Sequence, residues 1–188
     1  VTSDTPSYIQ RDSAYDQLVA VIKAARYFYP DIGTLLNVGG EKFNLSLFDE
    51  TGNYSGSRFN TSCAAGTGSF LDQQAVRLDL STSENLSKEA LSSGNPAPDI
   101  ATRCAVFAKT DLIHAQQEGY AIAQISDGLC RGLAKNIYNT LFSGTDVREP
   151  VVFCGGVAKN DAVKAYLEEL TGYRLTVDTY CGVYGAVG

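Results

Sequence analysis

Apolar and polar positions in the first third of the chain predict one helix followed by three strands. Residues 13–29 are expected to be helical, and short apolar runs follow at residues 34–38, 42–50 and 52–60. Glycine-bearing turns separate these runs, and such turns favour consecutive antiparallel strands. The pattern therefore predicts an antiparallel sheet edge that leads directly into residue 60.

The rest of the chain predicts mostly helices, with two further strands. One helix is expected before a loop at residues 92–99. Apolar side chains then recur at helical spacing over residues 119–142, at Ile122, Ile125, Leu129, Leu133, Ile137 and Leu141. Strands are expected at residues 150–154 and 173–178, with a helix at about residues 161–170 between them. This order predicts a mixed α/β fold without repeats.

The composition argues against several classes of protein. The chain has 188 residues and a net charge of −6, and both signs of charge are interspersed, so it offers no basic stripe for nucleic acid. No apolar run approaches the length of about 18 residues that a membrane-spanning helix needs, and the amino end lacks a signal pattern. We therefore expect a cytoplasmic protein that binds neither nucleic acid nor a membrane.

Five cysteines without a C-x-x-C pair argue against both a disulfide framework and a zinc ribbon. They are Cys63, Cys104, Cys130, Cys154 and Cys181. Each can be an inert buried thiol, since free cysteine is among the most buried residue types. We adopt this interpretation for Cys130, because it lies within the long helical periodicity and is expected to pack there.

Cys63 has a more informative context than a buried thiol requires. It lies in the stretch NTSCAAGTGSFLDQQA, residues 60–75, just before a Gly-Thr-Gly turn and an expected helix start. Backbone N–H groups at a helix start favour negative charge, and so favour a thiolate. A thiolate in that position can bind a metal or attack an electrophile.

Two glycine pairs lie at the ends of predicted strands. Gly39-Gly40 is expected at a bend between two strands, and Gly155-Gly156 at a strand-to-helix turn. At such turns the backbone can approach a phosphate or a flat base closely, although glycine pairs at turns are commonly structural. Neither pair belongs to a Walker loop or a dinucleotide fingerprint. Because open α/β sheets place ligands at strand ends, both pairs are expected to face one cleft.

Three motifs together resemble those of one protein family. They are CAAGTGSFLDQQA at residues 63–75, CAVFAKTDLI at residues 104–113 and FCGGVAKND at residues 153–161. From about Leu35 to the end, the chain resembles the ATP-driven activators of 2-hydroxyacyl-CoA dehydratases and the related ATPase subunits of benzoyl-CoA reductases.

The resemblance implies a fold and a function. The implied fold is α/β, a ribonuclease-H-like lobe of the actin, sugar-kinase and chaperone ATPase superfamily, with a mixed sheet and flanking helices. The implied function is that of an ATP-dependent reductive activator. Such a protein binds ATP with Mg and donates an electron from a [4Fe-4S] cluster to an acyl-CoA dehydratase or reductase component.

The resemblance also assigns residues to these ligands. Cys63 and Cys104 match the two cysteines that each subunit of a homodimer supplies to one shared cluster. A [4Fe-4S] cluster needs four thiolates, and a two-fold axis doubles two to four. Gly39 and Gly40 are implied to approach phosphate. The adenosine pocket is implied to include Gly155, Gly156, Lys159 and Asn160.

The sequence departs from the family pattern at the phosphate motif. Neutral Asn37 stands where the family usually has an Asp that helps to place magnesium-bound water, and residues 1–34 contain no recognisable first phosphate loop. No catalytic residue is assigned for this reason. Residues 1–188 are expected to be one lobe of a two-lobed ATPase, with cluster-binding segments within residues 60–110. The alternatives are a noncatalytic ATPase-like redox or scaffold module of a larger protein, and a sugar-kinase-like lobe with inert cysteines.

Overall fold

The computed structural model describes residues 13–60, 67–101 and 105–188. Five strands have the bounds β1 Thr34–Val38, β2 Phe43–Phe48, β3 Tyr54–Phe59, β4 Val151–Cys154 and β5 Leu175–Thr176. The helices are α1 Gln17–Phe28, α2 Gly68–Arg77, α3 Ser83–Ser92, α4 Ala105–Gln117, α5 Ile122–Ile137, α6 Asp161–Thr171 and α7 Tyr184–Val187. A π-helical turn extends α5 over Tyr138–Phe142, and a 3-10 turn at Gly156–Lys159 precedes α6.

The five strands form one mixed sheet in the order β3-β2-β1-β4-β5. The three strands β1, β2 and β3 pair antiparallel, whereas β1 with β4 and β4 with β5 pair parallel. The central strands β1 and β4 are almost wholly buried, as expected for strands covered on both faces. The antiparallel edge predicted from the sequence is confirmed, and so is the mixed sheet with flanking helices.

Helix α5 forms the centre of the helical layer. It packs against α3 and α6, and most of its residues are buried. Helix α1 packs instead against α7. Polar side chains mark several helix starts: Asp16 accepts from the Val19 amide at 3.1 Å, and Thr82 accepts from the Asn85 amide at 3.2 Å. These caps satisfy N–H groups that lack a partner within their own helix.

The prediction of a single helix before the loop at residues 92–99 is wrong, because two helices occupy that region. Helix α2 ends at Arg77 and α3 begins at Ser83. Between them, Asp79 and Ser81 have φ values of 62° and 65°, in the left-handed region that cannot continue an α-helix. Two further helices, α4 and the four-residue α7, were not expected. The last predicted strand is also shorter than expected, since only Leu175–Thr176 pairs with β4.

Within the described ranges, the helices are too short or too polar to cross a lipid bilayer.

Candidate functional site

The Gly39-Gly40 turn connects β1 to β2 and receives the start of helix α2. The Gly39 amide donates to the Lys42 carbonyl at 2.9 Å, which closes the turn. The carbonyls of Gly39 and Gly40 accept from the amides of Gly68 and Ser69 at 3.0 and 2.9 Å. The first two N–H groups of α2 therefore bind to the glycine turn. We call this contact the turn–helix contact.

Gly155 follows β4 at a position that only glycine can occupy. Its φ is 90°, and a Cβ there would lie 2.2 Å from the Val38 carbonyl oxygen. The Gly155 amide donates to the Cys181 carbonyl at 2.7 Å. Strand β4 thus ends against β1 on one side and against the segment that precedes α7 on the other.

Both glycine pairs line one large cavity, as their positions at strand ends predicted. The cavity has a volume of about 1160 Å³. Its remaining walls come from the first turns of α1, from the ends of β1, β2 and β3, and from the segment Cys181–Gly185. The prediction of a common cleft is therefore confirmed for these four glycines.

A row of polar side chains starts at the cavity and crosses the sheet. Asn37 donates to Asn44 at 3.2 Å, Asn44 donates to Ser46 at 3.2 Å, and the Ser46 and Ser57 hydroxyls lie 2.8 Å apart. On its other side, Asn37 Oδ1 accepts from the Cys154 thiol at 3.6 Å. The amide of Asn37 is thereby fixed in orientation, with its nitrogen towards β2 and its oxygen towards β4.

A smaller cavity of about 270 Å³ adjoins the same glycines and contains the other two predicted residues. Lys159 and Asn160 line it, together with Gly39, Gly40 and Gly156. The Asn160 side chain accepts from the Val163 amide at 2.9 Å and so caps α6. Its nitrogen lies 3.4 Å from the Ser83 carbonyl at the start of α3. Asn160 therefore also holds the wall of this cavity together.

Sequence reasoning did not find several residues of these walls. Asp16, Gln17 and Leu18 line the large cavity from α1, and Ser83 and Glu84 line the small one from α3. The sequence of helix α1 gave no indication of a binding site, because its cavity-lining residues are of types that are common at any helix start. A signal did exist in the stretch CGVYG at residues 181–185, where two closely spaced glycines indicate a tight turn.

The three described cysteines are buried thiols without metal-binding character. Burial raises the pKa of Cys130 to about 12, and desolvation also raises the pKa of Cys154 and Cys181. Such thiols stay protonated near neutral pH and are poor ligands and nucleophiles. The prediction that Cys130 packs within its helix is confirmed, since its side chain is inaccessible to solvent.

Cys63 and Cys104, the two cysteines assigned to the cluster, lie outside the described residues. Among residues 13–60, 67–101 and 105–188, no group of three or more His, Cys, Asp or Glu side chains could hold a metal ion. The assignment of the two cysteines as ligands stays a prediction.

Comparison with known proteins gives consistent results. The (R)-2-hydroxyglutaryl-CoA dehydratase activating ATPase of Acidaminococcus fermentans is 29% identical over 177 residues, covering 94% of this chain and 66% of that protein. The 2-hydroxyisocaproyl-CoA dehydratase activator of Clostridioides difficile is 28% identical over 182 residues, covering 97% and 67%. The chain thus spans about two thirds of the length of these relatives.

The solved structures agree with the sequence comparison. The activator of the 2-hydroxyisocaproyl-CoA dehydratase from Clostridium difficile, solved with bound ADPNP, superposes with a TM-score of 0.86 at 25% identity. The match covers 96% of this chain and 66% of that one. The fold is thus the predicted ribonuclease-H-like lobe of the actin, sugar-kinase and chaperone ATPase superfamily. Residues 5–188 match the BadF/BadG/BcrA/BcrD ATPase family, and the chain belongs to that family.

Proposed function

We propose that the chain is part of an ATP-dependent reductive activator, which donates an electron to an acyl-CoA dehydratase or reductase component. The observation that carries the proposal is the cavity shared by Gly39, Gly40, Gly155 and Gly156, in a chain that belongs to an ATPase family. Glycines at strand ends let a ligand approach the backbone closely, which suits a nucleotide with several phosphates.

In this proposal the nucleotide occupies both cavities, which share Gly39, Gly40 and Gly156. Gly39 and Gly40 face the phosphates, while Gly155, Gly156, Lys159 and Asn160 hold the adenosine. The walls of both cavities support nucleotide binding because they carry charges of both signs. Lys42 and Glu41 line the larger cavity, and Lys159 and Glu84 line the smaller one. Cationic side chains suit phosphate, and carboxylates can accept hydrogen bonds from ribose hydroxyls or hold magnesium-bound water.

The cluster would be held by Cys63 and Cys104 of each subunit in a homodimer. The chemistry of the cysteines supports this choice, because the other three are buried and their pKa values are raised. Helix α2 begins at Gly68, five residues after Cys63. When bound, the cluster supplies one-electron transfer. Two thiolates from each subunit would complete its four ligands.

The names of the relatives support the kind of partner. Both are described as activating an acyl-CoA dehydratase. We therefore propose a 2-hydroxyacyl-CoA dehydratase component as the electron acceptor. The alternative acceptor is a benzoyl-CoA reductase type component, and binding of the purified protein to each component distinguishes the two. The identity of the acyl group lies in the partner, so no residue of this chain is assigned to it.

Anaerobic reconstitution tests the cluster. The wild-type protein and the variants Cys63→Ser, Cys104→Ser and Cys130→Ser would be treated with iron and sulfide, and bound iron, acid-labile sulfide and dimer formation would be measured. We expect the first two variants to lose the cluster and Cys130→Ser to retain it, because Cys130 is buried within α5. Full cluster occupancy in Cys63→Ser and Cys104→Ser would return both residues to the class of inert thiols.

ATP-dependent electron transfer tests the rest of the proposal. The full-length protein would be reduced, mixed with a dehydratase component and followed spectroscopically with ATP or with a nonhydrolysable analogue. Oxidation of the cluster that requires both ATP and the partner would support an activator. A cluster that forms but transfers no electron in response to ATP would contradict it.

A further inference from the structure

Lys159 extends from a backbone that is fixed on both sides. It is the last residue of the 3-10 turn Gly156–Lys159, in which Val157 and Ala158 are buried. The next residue, Asn160, is also buried, and its amide donates to the Val157 carbonyl at 2.9 Å. The side chain of Lys159 is exposed. The packed turn therefore determines the point from which this flexible side chain starts.

The side chain of Lys159 contributes to both cavities. Lys159 lines the small cavity. Its Cε atom would lie 3.8 Å from a Cβ placed at Gly182, and Gly182 lines the large cavity. The neighbouring wall residue, Cys181, is affected by the same charge: burial raises the pKa of its thiol, and the Lys159 ammonium group partly offsets that effect. The ammonium group therefore lies near the boundary between the two cavities.

The two cavities carry more negative than positive groups. Their described lining residues include two lysines and four carboxylates, namely Lys42, Lys159, Asp16, Glu41, Asp72 and Glu84. Carboxylates repel a phosphate, so each phosphate of a bound nucleotide is expected to lie beside a lysine. Lys42 follows the glycine turn that is proposed to face the phosphates, whereas Lys159 precedes Asn160, which is proposed to hold the adenosine. The phosphate closest to the adenosine is therefore the one closest to Lys159.

We propose that the ammonium group of Lys159 binds the α-phosphate of the nucleotide, while its methylene stem lines the cavity beside the adenosine. This inference rests on the proposed nucleotide site. Lysine suits both contacts, because its four-carbon stem is apolar and its head group is a compact charge with three N–H donors. The α-phosphate joins the adenosine to the other phosphates, so it must lie between Asn160 and the Gly39-Gly40 turn.

Ligands that differ by one phosphate separate this role from a contact with the base. The full-length wild-type protein and the variants Lys159→Met and Lys164→Met would be titrated with adenosine, AMP and ADP at one magnesium concentration. Ligand-observed NMR measures the dissociation constants, including millimolar ones. Lys159→Met removes the charge and keeps an unbranched, flexible side chain. Lys164→Met is the matched control, because it removes the same charge from helix α6, where Lys164 lies 3.7 Å from Glu168.

We expect Lys159→Met to bind AMP and ADP about tenfold more weakly than the wild type, because one hydrogen bond to a charged group is lost. The factor should be the same for both ligands, since both contain the α-phosphate. The affinity for adenosine should stay within about twofold of the wild type, which also shows that the variant is folded. Lys164→Met should bind all three ligands as the wild type does.

Equal affinities of Lys159→Met and the wild type for AMP would overturn the role of Lys159 alone. An equal loss for adenosine and AMP would also overturn it, because the lysine would then contact the base or the ribose. So would a loss for ADP without one for AMP, which would place the lysine beyond the α-phosphate. A wild-type protein that binds none of the three ligands would overturn the proposed nucleotide site, and the role of Lys159 with it.

Discussion

Gly155 shows how a single residue determines the shape of the candidate site. Its backbone lies in a region that L-residues rarely adopt, and the Val38 carbonyl fills the space where a side chain would begin. The amide of the same residue holds the segment before α7 through Cys181. One glycine therefore brings β1, β4 and the wall of the large cavity together.

Replacement of Gly155 by alanine should destabilise the protein by about 3 kcal/mol, because backbone strain and a steric clash add. Gly144→Ala is the matched control. Gly144 also has a positive φ, 68°, but a Cβ there would meet nothing within 4 Å. We expect the control to cost only about 1 kcal/mol, from the backbone strain alone. Urea unfolding measures both values, and equal losses would contradict the combined cost assigned to the Gly155 backbone conformation and its contact with Val38.

The thiol of Cys130 should make stability depend on alkaline pH. Burial raises its pKa from an ordinary value of 9.0 to about 12. The unfolded chain therefore releases this proton at lower pH than the native protein does. The resulting stabilisation is complete below about pH 9 and is lost as the pH rises towards 12.

We expect the free energy of unfolding to fall more steeply with pH in the wild type than in Cys130→Ala, by up to about 1.4 kcal/mol per pH unit. Tyrosines and lysines titrate in both proteins, so the difference between the two slopes isolates the thiol. Chemical denaturation at several pH values between 9 and 11 provides the measurement. Parallel slopes would mean that the thiol titrates normally in the native state.

At the scale of elements, a buried carboxylate joins α5 to α6. Asp127 accepts from Arg131 at 2.8 Å on its own helix and from the Tyr166 hydroxyl at 2.5 Å on α6. The Arg131 guanidinium lies 4.3 Å from the centre of the Tyr166 ring. Helix α6 follows the Gly155-Gly156 turn directly, so this contact also supports one side of both cavities.

Tyr166→Phe should therefore destabilise the protein by about 1.5–3 kcal/mol, since it removes a hydrogen bond to a charged group. The matched control is Tyr173→Phe, because Tyr173 is also a partly buried tyrosine packed against the core, and loss of its hydroxyl should cost less than about 0.5 kcal/mol. Thermal unfolding of both variants distinguishes these values. A Tyr166→Phe variant as stable as the control would show that Arg131 alone satisfies Asp127.

Sequence patterns predicted the elements that have strong periodicity, and missed those that depend on tertiary contacts. The apolar stripe of α5 and the glycine-separated strands gave the correct element types. Helix α4 was missed because exposed Phe107 and Ile113 interrupt its apolar face. The break between α2 and α3 depends on positive φ values at Asp79 and Ser81. A local signal did exist in the polar run STSE at residues 81–84, in which Thr82 caps α3.

The part of the candidate site that could be predicted from the sequence is the part built from glycines, because glycine at a strand end lets a ligand or another chain segment approach the backbone closely. Both glycine pairs lie where the strand ends predicted, in one cavity. The wall from α1 could not be predicted, because residues distant in sequence meet there only after the sheet has formed. The hydrogen bonds of Asn37 are also tertiary, and they show that its amide is part of an internal polar row.

At the scale of the whole molecule, the nucleotide site is expected to be incomplete in this chain. Asn37 presents a neutral amide already bound to Asn44 and Cys154, where a carboxylate would help to hold magnesium-bound water. We expect the chain alone to bind Mg-ATP more weakly than 1 μM and to show no turnover above background. Calorimetry and phosphate release measure both. Sub-micromolar binding, or turnover of about 1 per second, would contradict this expectation.

The turn–helix contact couples ligand binding in the large cavity to the position of helix α2. Since the amides of Gly68 and Ser69 bind the carbonyls of Gly39 and Gly40, a ligand that displaces the glycine turn must displace the first turn of α2 or break two hydrogen bonds. Linkage is reciprocal. A group bound near the start of α2 would therefore change the affinity of the cavity for its ligand by the same factor as the ligand changes the affinity for that group.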